Sequence, residues 1–245
     1  MKFVRLWWKL LRATVHAACG FWAIKVQFPR LEQRDREQRV HVWARQMLVI
    51  VGIDLVVQGQ RPCAGPVLLV ANHLSWLDIV VLHASHYCRF VSKSDIGKWP
   101  FVNTLAFGAG TLYIERSSRR DAHRVVQQMV DCLKAGDVLA VFPEGTTGDG
   151  ITLKPFHANL IQAAIEAAMP VQPVALKFLD AQSGAPSFAP RYIDDDSLGW
   201  SIWNTLTAPP LQAVVCFGET QLAQGRTRRE WAHALREDIE ALRRL

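Results

Sequence analysis

Pro66-Val67-Leu68-Leu69-Val70-Ala71-Asn72-His73-Leu74-Ser75-Trp76-Leu77-Asp78 is the stretch whose reading decides the fold. Its first half is a short unbroken apolar run and reads as a strand buried on both faces. His73 then stands at the C-terminal end of that strand, where ligands gather in open α/β sheets. The second half reads as the start of a helix. Ser75-Trp76-Leu77-Asp78 has the spacing of a capping box with Ser75 as N-cap. On a regular helix five residues advance about 500° and leave two side chains roughly 140° apart. His73 and Asp78 therefore meet only if His73 lies in the turn before the helix and Asp78 in its first turn. An imidazole whose far nitrogen is held by a carboxylate can act as a general base near neutral pH. Asp78 fits equally well as a carboxylate favouring a helix N-terminus, and the pair alone leaves both readings open.

Outward from this stretch, short apolar runs recur at Leu55–Val57, Arg89–Val91, Gly110–Ile114, Val138–Phe142, Val171–Leu176 and Ala213–Phe217. Helical patterns separate several of them, as at Asp121–Ala135 and Ala158–Ala168. Alternating strands and helices predict an α/β fold with a mixed, mostly parallel sheet flanked by helices. Residues 180–200 are rich in Ser, Asp, Gly and Pro and read as a loop. Thr227–Leu245 reads as a basic amphipathic helix, with Trp231, Leu235, Leu242 and Leu245 near one face.

Residues 1–53 read differently. A basic start and an apolar stretch, Ala13–Ile24, are ended by Pro29. A charged turn, Arg30–Arg39, leads to a second helix with Val40, Trp43, Met47 and Ile50 at helical spacing. The apolar stretch is shorter than the roughly 20 residues of a membrane span. Trp7, Trp8, Phe21 and Trp22 beside Lys and Arg suit a helix lying in the bilayer interface. Residues 1–53 are thus expected to be a membrane-associated helical hairpin, and residues 54–245 the main domain.

Half of the 245 residues are apolar, which excludes disorder, and the net charge of +6 favours an anionic partner. Five scattered cysteines form no CxxC pair, so neither a disulfide framework nor a zinc site is expected, and all five read as buried or half-buried fillers.

Two further clusters bear on chemistry. Phe142-Pro143-Glu144-Gly145-Thr146-Thr147-Gly148-Asp149-Gly150 follows the strand-like Val138–Val141. Glycines and hydroxyls after a strand let backbone N–H groups approach an anion or an oxyanion, although a plain Gly-rich turn has the same composition. Gly110-Thr111-Leu112-Tyr113-Ile114-Glu115-Arg116 ends a strand on an arginine, which can present a guanidinium to phosphate. Arg119, Arg120 and Arg124 beyond it read as a solvated helix start.

With these blocks the chain resembles the glycerolipid acyltransferases of the lysophosphatidic acid acyltransferase type. The His-x4-Asp block is His73 to Asp78; the Gly-x-hydrophobic-x-x-Asp/Glu-Arg block is Gly110 to Arg116. Phe142-Pro143-Glu144-Gly145-Thr146 and the proline-bearing Pro170-Val171-Gln172-Pro173-Val174-Ala175 follow in order. Each block is unspecific alone; the four, ordered and spaced over roughly residues 50–180, are specific together. The resemblance implies that residues 54–245 are a catalytic domain moving a fatty acyl group from acyl-CoA or acyl carrier protein to a lysophospholipid hydroxyl. The foremost acceptor it implies is 1-acylglycerol-3-phosphate.

The resemblance also implies roles. His73 would be the general base, and Asp78 would orient it. Arg116 and Lys93 would contact the acceptor phosphate. Glu144, Gly145 and Thr146 would shape the acceptor and oxyanion site. It implies no metal, no cofactor and no nucleic acid, but a membrane surface as partner. In a bacterium it implies a peripheral or monotopic place on the inner (cytoplasmic) membrane, with the catalytic domain facing the cytosol. One position departs from the pattern: the family usually continues Phe-Pro-Glu-Gly-Thr with arginine, and this chain has Thr147. A less charged acceptor such as lyso-ornithine lipid would fit that change. So would compensation by Arg116 and Lys93, or by Lys154.

Other classes fit less well. Gly-x-Ser-x-Gly and His-Glu-x-x-His are absent, and Gly108-Ala109-Gly110 is an incomplete dinucleotide fingerprint. A basic, Trp-rich module that only binds membrane or nucleic acid would explain the charge but not four ordered blocks.

Overall fold

Strand β2 (Val67–Ala71) is buried at every residue, and its alternation sets the layers of the molecule. Val67, Leu69 and Ala71 enter one apolar cluster, while Leu68 and Val70 enter another on the opposite face. The computed structural model describes residues 2–62, 65–93, 100–114, 119–193 and 195–244. The other strands are β1 (Ile53–Gln58), β3 (Arg89–Lys93), β4 (Leu112–Ile114), β5 (Val138–Val141), β6 (Val171–Asp180) and β7 (Leu211–Phe217). They form one sheet in the order β1-β7-β6-β2-β5-β3-β4. Every neighbouring pair is parallel except β6–β7. The expected mixed, mostly parallel sheet is therefore present. Strands β2 to β6 all deliver their C-terminal ends to one edge, and β1, running the other way, brings its N-terminus there.

On one face of the sheet lie α1 (Lys2–Val26), α2 (Gln33–Val51), α3 (Leu77–Ser85) and α7 (Leu198–Thr207), which contribute Leu6, Leu48, Leu82 and Leu206 to the first cluster. On the other lie α5 (Arg119–Lys134), α6 (Gln162–Ala167) and α8 (Arg228–Arg244), which contribute Met129, Ala163 and Trp231 to the second. Helix α4 (Pro100–Gly108) packs on α1, where Phe101 stacks on Phe21. Helix α8 has a complete capping box: Thr227 N donates to Glu230 Oε2 at 2.8 Å and Glu230 N to Thr227 Oγ1 at 3.3 Å.

Helices α1 and α2 run side by side in opposite directions. Lys9 Nζ donates to Val51 O, His16 pairs with Trp43, and Arg39 reaches Gln27. The segment expected as a charged turn is mostly helix, since α2 begins at Gln33. Gln, Arg and Glu are good helix formers, and the connection shrinks to a 3-10 turn at Phe28–Arg30. Helices α4 and α7 were not anticipated. Helix α7 starts inside the segment read as loop, where Ser197 Oγ caps it by accepting from Trp200 N. Of the cysteines, Cys88 and Cys216 are buried and Cys132 half-buried, but Cys19 is exposed on α1; Cys63 lies outside the described residues. His83 of α3 is buried, with no partner on either ring nitrogen among the described residues. Burial, assisted by His41, pushes its pKa down to about 3, so it serves as a neutral ring packed against Tyr87 and Phe90.

The main chain leaves the sheet at Asn72, and the Asn72 side chain continues the pairing that the backbone gives up. The β2–β6 register ends at Ala71 with Val174. One step on, Asn72 Nδ2 donates to Leu176 O at 3.0 Å, and Leu176 N donates to Asn72 Oδ1 at 2.7 Å. This amide is 1% exposed. It satisfies both buried groups of Leu176 while freeing the Asn72 backbone to turn. Asn72→Ala should therefore lower stability by about 2–3 kcal/mol, the cost of stranding two buried backbone groups. For a chain of this size the thermal midpoint should fall by roughly 5–10 °C. An unchanged midpoint in calorimetry would show that the amide carries no such weight.

Candidate active site

Asp78 reaches back across the turn and gathers the segment before it. Its Oδ2 accepts from His73 Nδ1 at 2.8 Å, Leu74 N at 2.6 Å and Ser75 N at 2.8 Å. The capping-box expectation is half met. Ser75 N does donate to Asp78, but Ser75 Oγ accepts from Leu77 N and Asp78 N bonds to Ser75 O. Helix α3 begins at Leu77 with Trp76, not Ser75, in the N-cap position. The missing half is on the hydroxyl side, where Leu77 N takes Ser75 Oγ; the carboxylate half forms and is shared with His73. Because a carboxylate can only accept, its contact selects the tautomer protonated on Nδ1. Nε2 is left free of partners among the described residues, and the ring is 17% exposed.

The segment after β5 docks on His73 from its other sides. Phe142 stacks face to face on the imidazole, centroids 3.9 Å apart and planes 8° from parallel. Glu144 Oε1 accepts from His73 N at 2.8 Å, and Gly148 N donates to His73 O at 2.7 Å. Glu144 Oε2 accepts from Lys154 N at 2.9 Å. Both oxygens of this buried carboxylate are thus spent on backbone. Burial pushes the Glu144 carboxyl up, and the two amide donors pull it partly back. Gly145 has φ +73°, a left-handed conformation that lets the chain reverse directly after Glu144. Gly145 N donates to Phe142 O, which closes this turn, and Thr146 is exposed at its crest.

Adjacent parallel strands explain why these segments meet. The β2–β5 register aligns Val70 with Val141, so His73 and Phe142–Gly148 leave the same edge side by side. Strand β3 lies beyond β5 and brings Lys93 to that edge as its last residue. Arg116 lies outside the described residues. Lys154 Nζ donates to Thr147 O at 2.8 Å, so an ammonium stands beside the position where the pattern calls for arginine.

Three contributors escaped the sequence reading. Asn72 releases the strand, Phe142 sets the plane of the imidazole, and α8 holds the glycine-rich loop. Arg236 donates to Leu153 O at 2.7 Å, and Arg243 donates to Gly150 O and to Ile151 O. No spacing rule could have signalled α8, because its arginines act on loop carbonyls distant in sequence. The assembled site offers a free imidazole nitrogen, oriented by a carboxylate and held by a hydrogen-bonded loop at a sheet edge. That is the equipment of a general base acting on a hydroxyl.

A model of the Acyltransferase family matches residues 53–177. A lyso-ornithine lipid O-acyltransferase from Pseudomonas aeruginosa is 37% identical over 163 residues, which are 66% of this chain and 62% of that protein. A 1-acyl-sn-glycerol-3-phosphate acyltransferase from Neisseria meningitidis is 32% identical over 198 residues, 78% of this chain and 74% of that protein. The crystal structure of the 1-acyl-sn-glycerophosphate (LPA) acyltransferase PlsC from Thermotoga maritima shares the fold, with a TM-score of 0.75 at 18% identity over 100% of this chain and 97% of that one. The family region spans β1 through most of β6 and takes in both segments that meet at His73, and the chain belongs to the Acyltransferase family.

Proposed function

We propose that this protein transfers a fatty acyl group from a thioester, carried by coenzyme A or acyl carrier protein, to the free hydroxyl of a lysophospholipid, foremost 1-acylglycerol-3-phosphate. The observation that carries this reading is the His73–Asp78 pair, with Nε2 free at the sheet edge and Phe142–Gly148 docked on the ring. His73 Nε2 takes the proton of the acceptor hydroxyl as the oxygen attacks the thioester carbonyl. Asp78 steadies the imidazolium that forms. The tetrahedral intermediate collapses, the C–S bond breaks, and the proton passes from Nε2 to the departing thiolate. The thioester is already activated, so no serine or cysteine nucleophile enters. Thr146 N, with no partner among the described residues, is suited to the developing oxyanion. Glu144 works as a positioning residue through its two backbone contacts. Arg116 and Lys93 are assigned to the acceptor phosphate.

A second acceptor is favoured by one specific feature. Thr147 replaces the usual arginine, and a relative 37% identical to this chain bears the name lyso-ornithine lipid O-acyltransferase. Against it, Lys154 supplies a cation at the same turn, which supports the phosphate-bearing acceptor.

Association with a bilayer is read from α1, which carries two apolar stripes. Leu6, Leu10 and Ala13 face the core. Val4, Trp8, Leu11, Val15 and Trp22 recur at helical spacing on the exposed side, with Trp7 beside them. Trp7 and Trp8 are 60% and 59% exposed. An exposed stripe of this kind, flanked by Lys and Arg, fits the interface of a membrane. Among the described residues no helix is long and apolar enough to cross one. In a bacterial cell this reading places the protein on the cytoplasmic face of the inner membrane.

Three outcomes follow. Folded His73→Ala protein should lose at least about 10²-fold in turnover, with Asp78→Asn also impaired; near-wild-type acyl transfer by His73→Ala would remove the imidazole from the mechanism. In a purified assay with both acyl donors, kcat/KM should be higher with lysophosphatidic acid than with lyso-ornithine lipid, and the reverse order would move the acceptor to the second reading. Replacing Trp7, Trp8 and Leu11 together by serine leaves the core-facing stripe intact. It should weaken partitioning onto liposomes roughly tenfold or more, whereas unchanged partitioning would remove α1 from the interface.

A further inference from the structure

We propose that the groove between α1 and α2 binds the phosphate of an anionic phospholipid headgroup, at a site separate from the one around His73. The groove holds about 350 Å³ and is lined by Arg12, His16, Arg45, Gln46, Val49 and Ile50. Arg12 and Arg45 come from different helices, are both exposed, and have no hydrogen-bond or ion-pair partner among the described residues. Neither helix supplies a carboxylate to this region. Helix α1 has no acidic residue, and α2 has none after Glu37. Two unpaired guanidiniums lining one concave surface form an anion site, and their planar donor forks match phosphate oxygens.

The walls of the groove are fixed. His16 Nε2 lies 3.0 Å from Trp43 O, Trp43 Nε1 donates to His16 O at 3.1 Å, and the two rings stack at 5.2 Å. This reciprocal pair ties α1 to α2 beside the arginines and commits His16 to the scaffold. Beyond it, a Cβ on Gly20 would lie 2.6 Å from Trp43 Nε1, so the helices are in close contact there. At the other end, Lys9 Nζ occupies Val51 O. The groove is therefore a bounded opening between two helices held at both ends.

The rim explains why the ligand is a lipid and not a free anion. Val49 is 74% exposed, and Val15 and Trp8 lie one turn on either side of Arg12 on the exposed stripe of α1. A phosphate between the guanidiniums would have acyl chains running over these apolar side chains, with the cations at headgroup depth. The fold also orients the groove. Helix α2 ends at Val51 and leads into β1, whose N-terminus lies on the sheet edge that carries His73. A lipid held here would dock the protein with that edge toward the bilayer. The inference rests on the reading of α1 as an interfacial helix.

Co-sedimentation with two kinds of vesicle tests it: phosphatidylcholine alone, and phosphatidylcholine mixed with phosphatidylglycerol. Three proteins are compared: the wild type, the double variant Arg12→Gln/Arg45→Gln, and the control Arg228→Gln/Arg229→Gln. The control removes the same charge from exposed positions of α8, on the opposite face of the sheet. The wild type should prefer the mixed vesicles. The groove variant should lose roughly 30-fold in affinity for them, from two arginines near an anionic surface, and bind phosphatidylcholine as the wild type does. The control should keep most of the preference. A groove variant that retains the preference, or a control that loses as much, overturns the site in favour of diffuse charge. A wild type that binds neither vesicle overturns the interfacial reading of α1 and the groove with it.

Discussion

The site depends on one carboxylate oxygen. Asp78 Oδ2 receives the imidazole N–H of His73 and the backbone N–H groups of Leu74 and Ser75. Two of these bonds shape the main chain and the third orients the side chain, so one oxygen sets both the turn and the direction of the ring. This answers the geometric objection to a histidine and an aspartate five residues apart. They do not share a helix. The tight turn between strand and helix folds His73 back over the first turn of α3, and Asp78 accepts from the imidazole while it still accepts from the backbone N–H groups before the helix. The two readings of Asp78, helix N-terminus and imidazole partner, are one arrangement.

A single carboxylate fixes the ring on one side only, and the remaining degrees of freedom are removed from β5 and α8. Phe142 lies against the face of the ring. Glu144 and Gly148 hold the His73 backbone at its N–H and its carbonyl. The loop that supplies them is held in turn by Lys154 from within and by Arg236 and Arg243 from α8. Arg243 is itself paired to Glu240 at 2.9 Å. Such a chain of contacts holds the imidazole in one position, and preorganisation of that kind is where catalytic advantage arises at a polar site. The contacts from α8 lie outside the region matched by the family model, so the C-terminal helix belongs to the site physically although no catalytic motif falls on it.

How much of this could be read from the chain follows from the range of each interaction. Strand β2 was legible to the residue, because a run buried on both faces leaves a continuous apolar signature. The other strands were found with shifted ends, most of all β6, which extends to Asp180 past the expected Leu176. Its antiparallel partner β7 continues the ladder to Leu211, and pairing of that kind leaves no local mark. The charged start of α2 resembled a turn because its polar residues face solvent and its helicity comes from propensity alone. Helices α4 and α7 are nine and ten residues long, too short for a clear period against Gly and Pro neighbours. Within the site, the His-x4-Asp and Phe-Pro-Glu-Gly-Thr blocks were visible as motifs. What Glu144 does with its two oxygens was not, since both partners are backbone groups and carry no residue identity.

Helix α1 joins the site to its surroundings. Helix α1 is apolar on two sides: one stripe packs into the core and the other is exposed. Leu6 enters the same cluster as Leu77, Val81 and Ala71, the residues that carry the turn at His73. The exposed stripe with Trp8, Leu11 and Val15 is therefore fixed relative to the imidazole through packed side chains, with no flexible tether between them. A surface that held this stripe would also fix the direction in which Nε2 points. Were the proposed acceptor to keep its acyl chain in the bilayer, only its headgroup would remain to be positioned, at an edge where Lys154 stands beside Thr147.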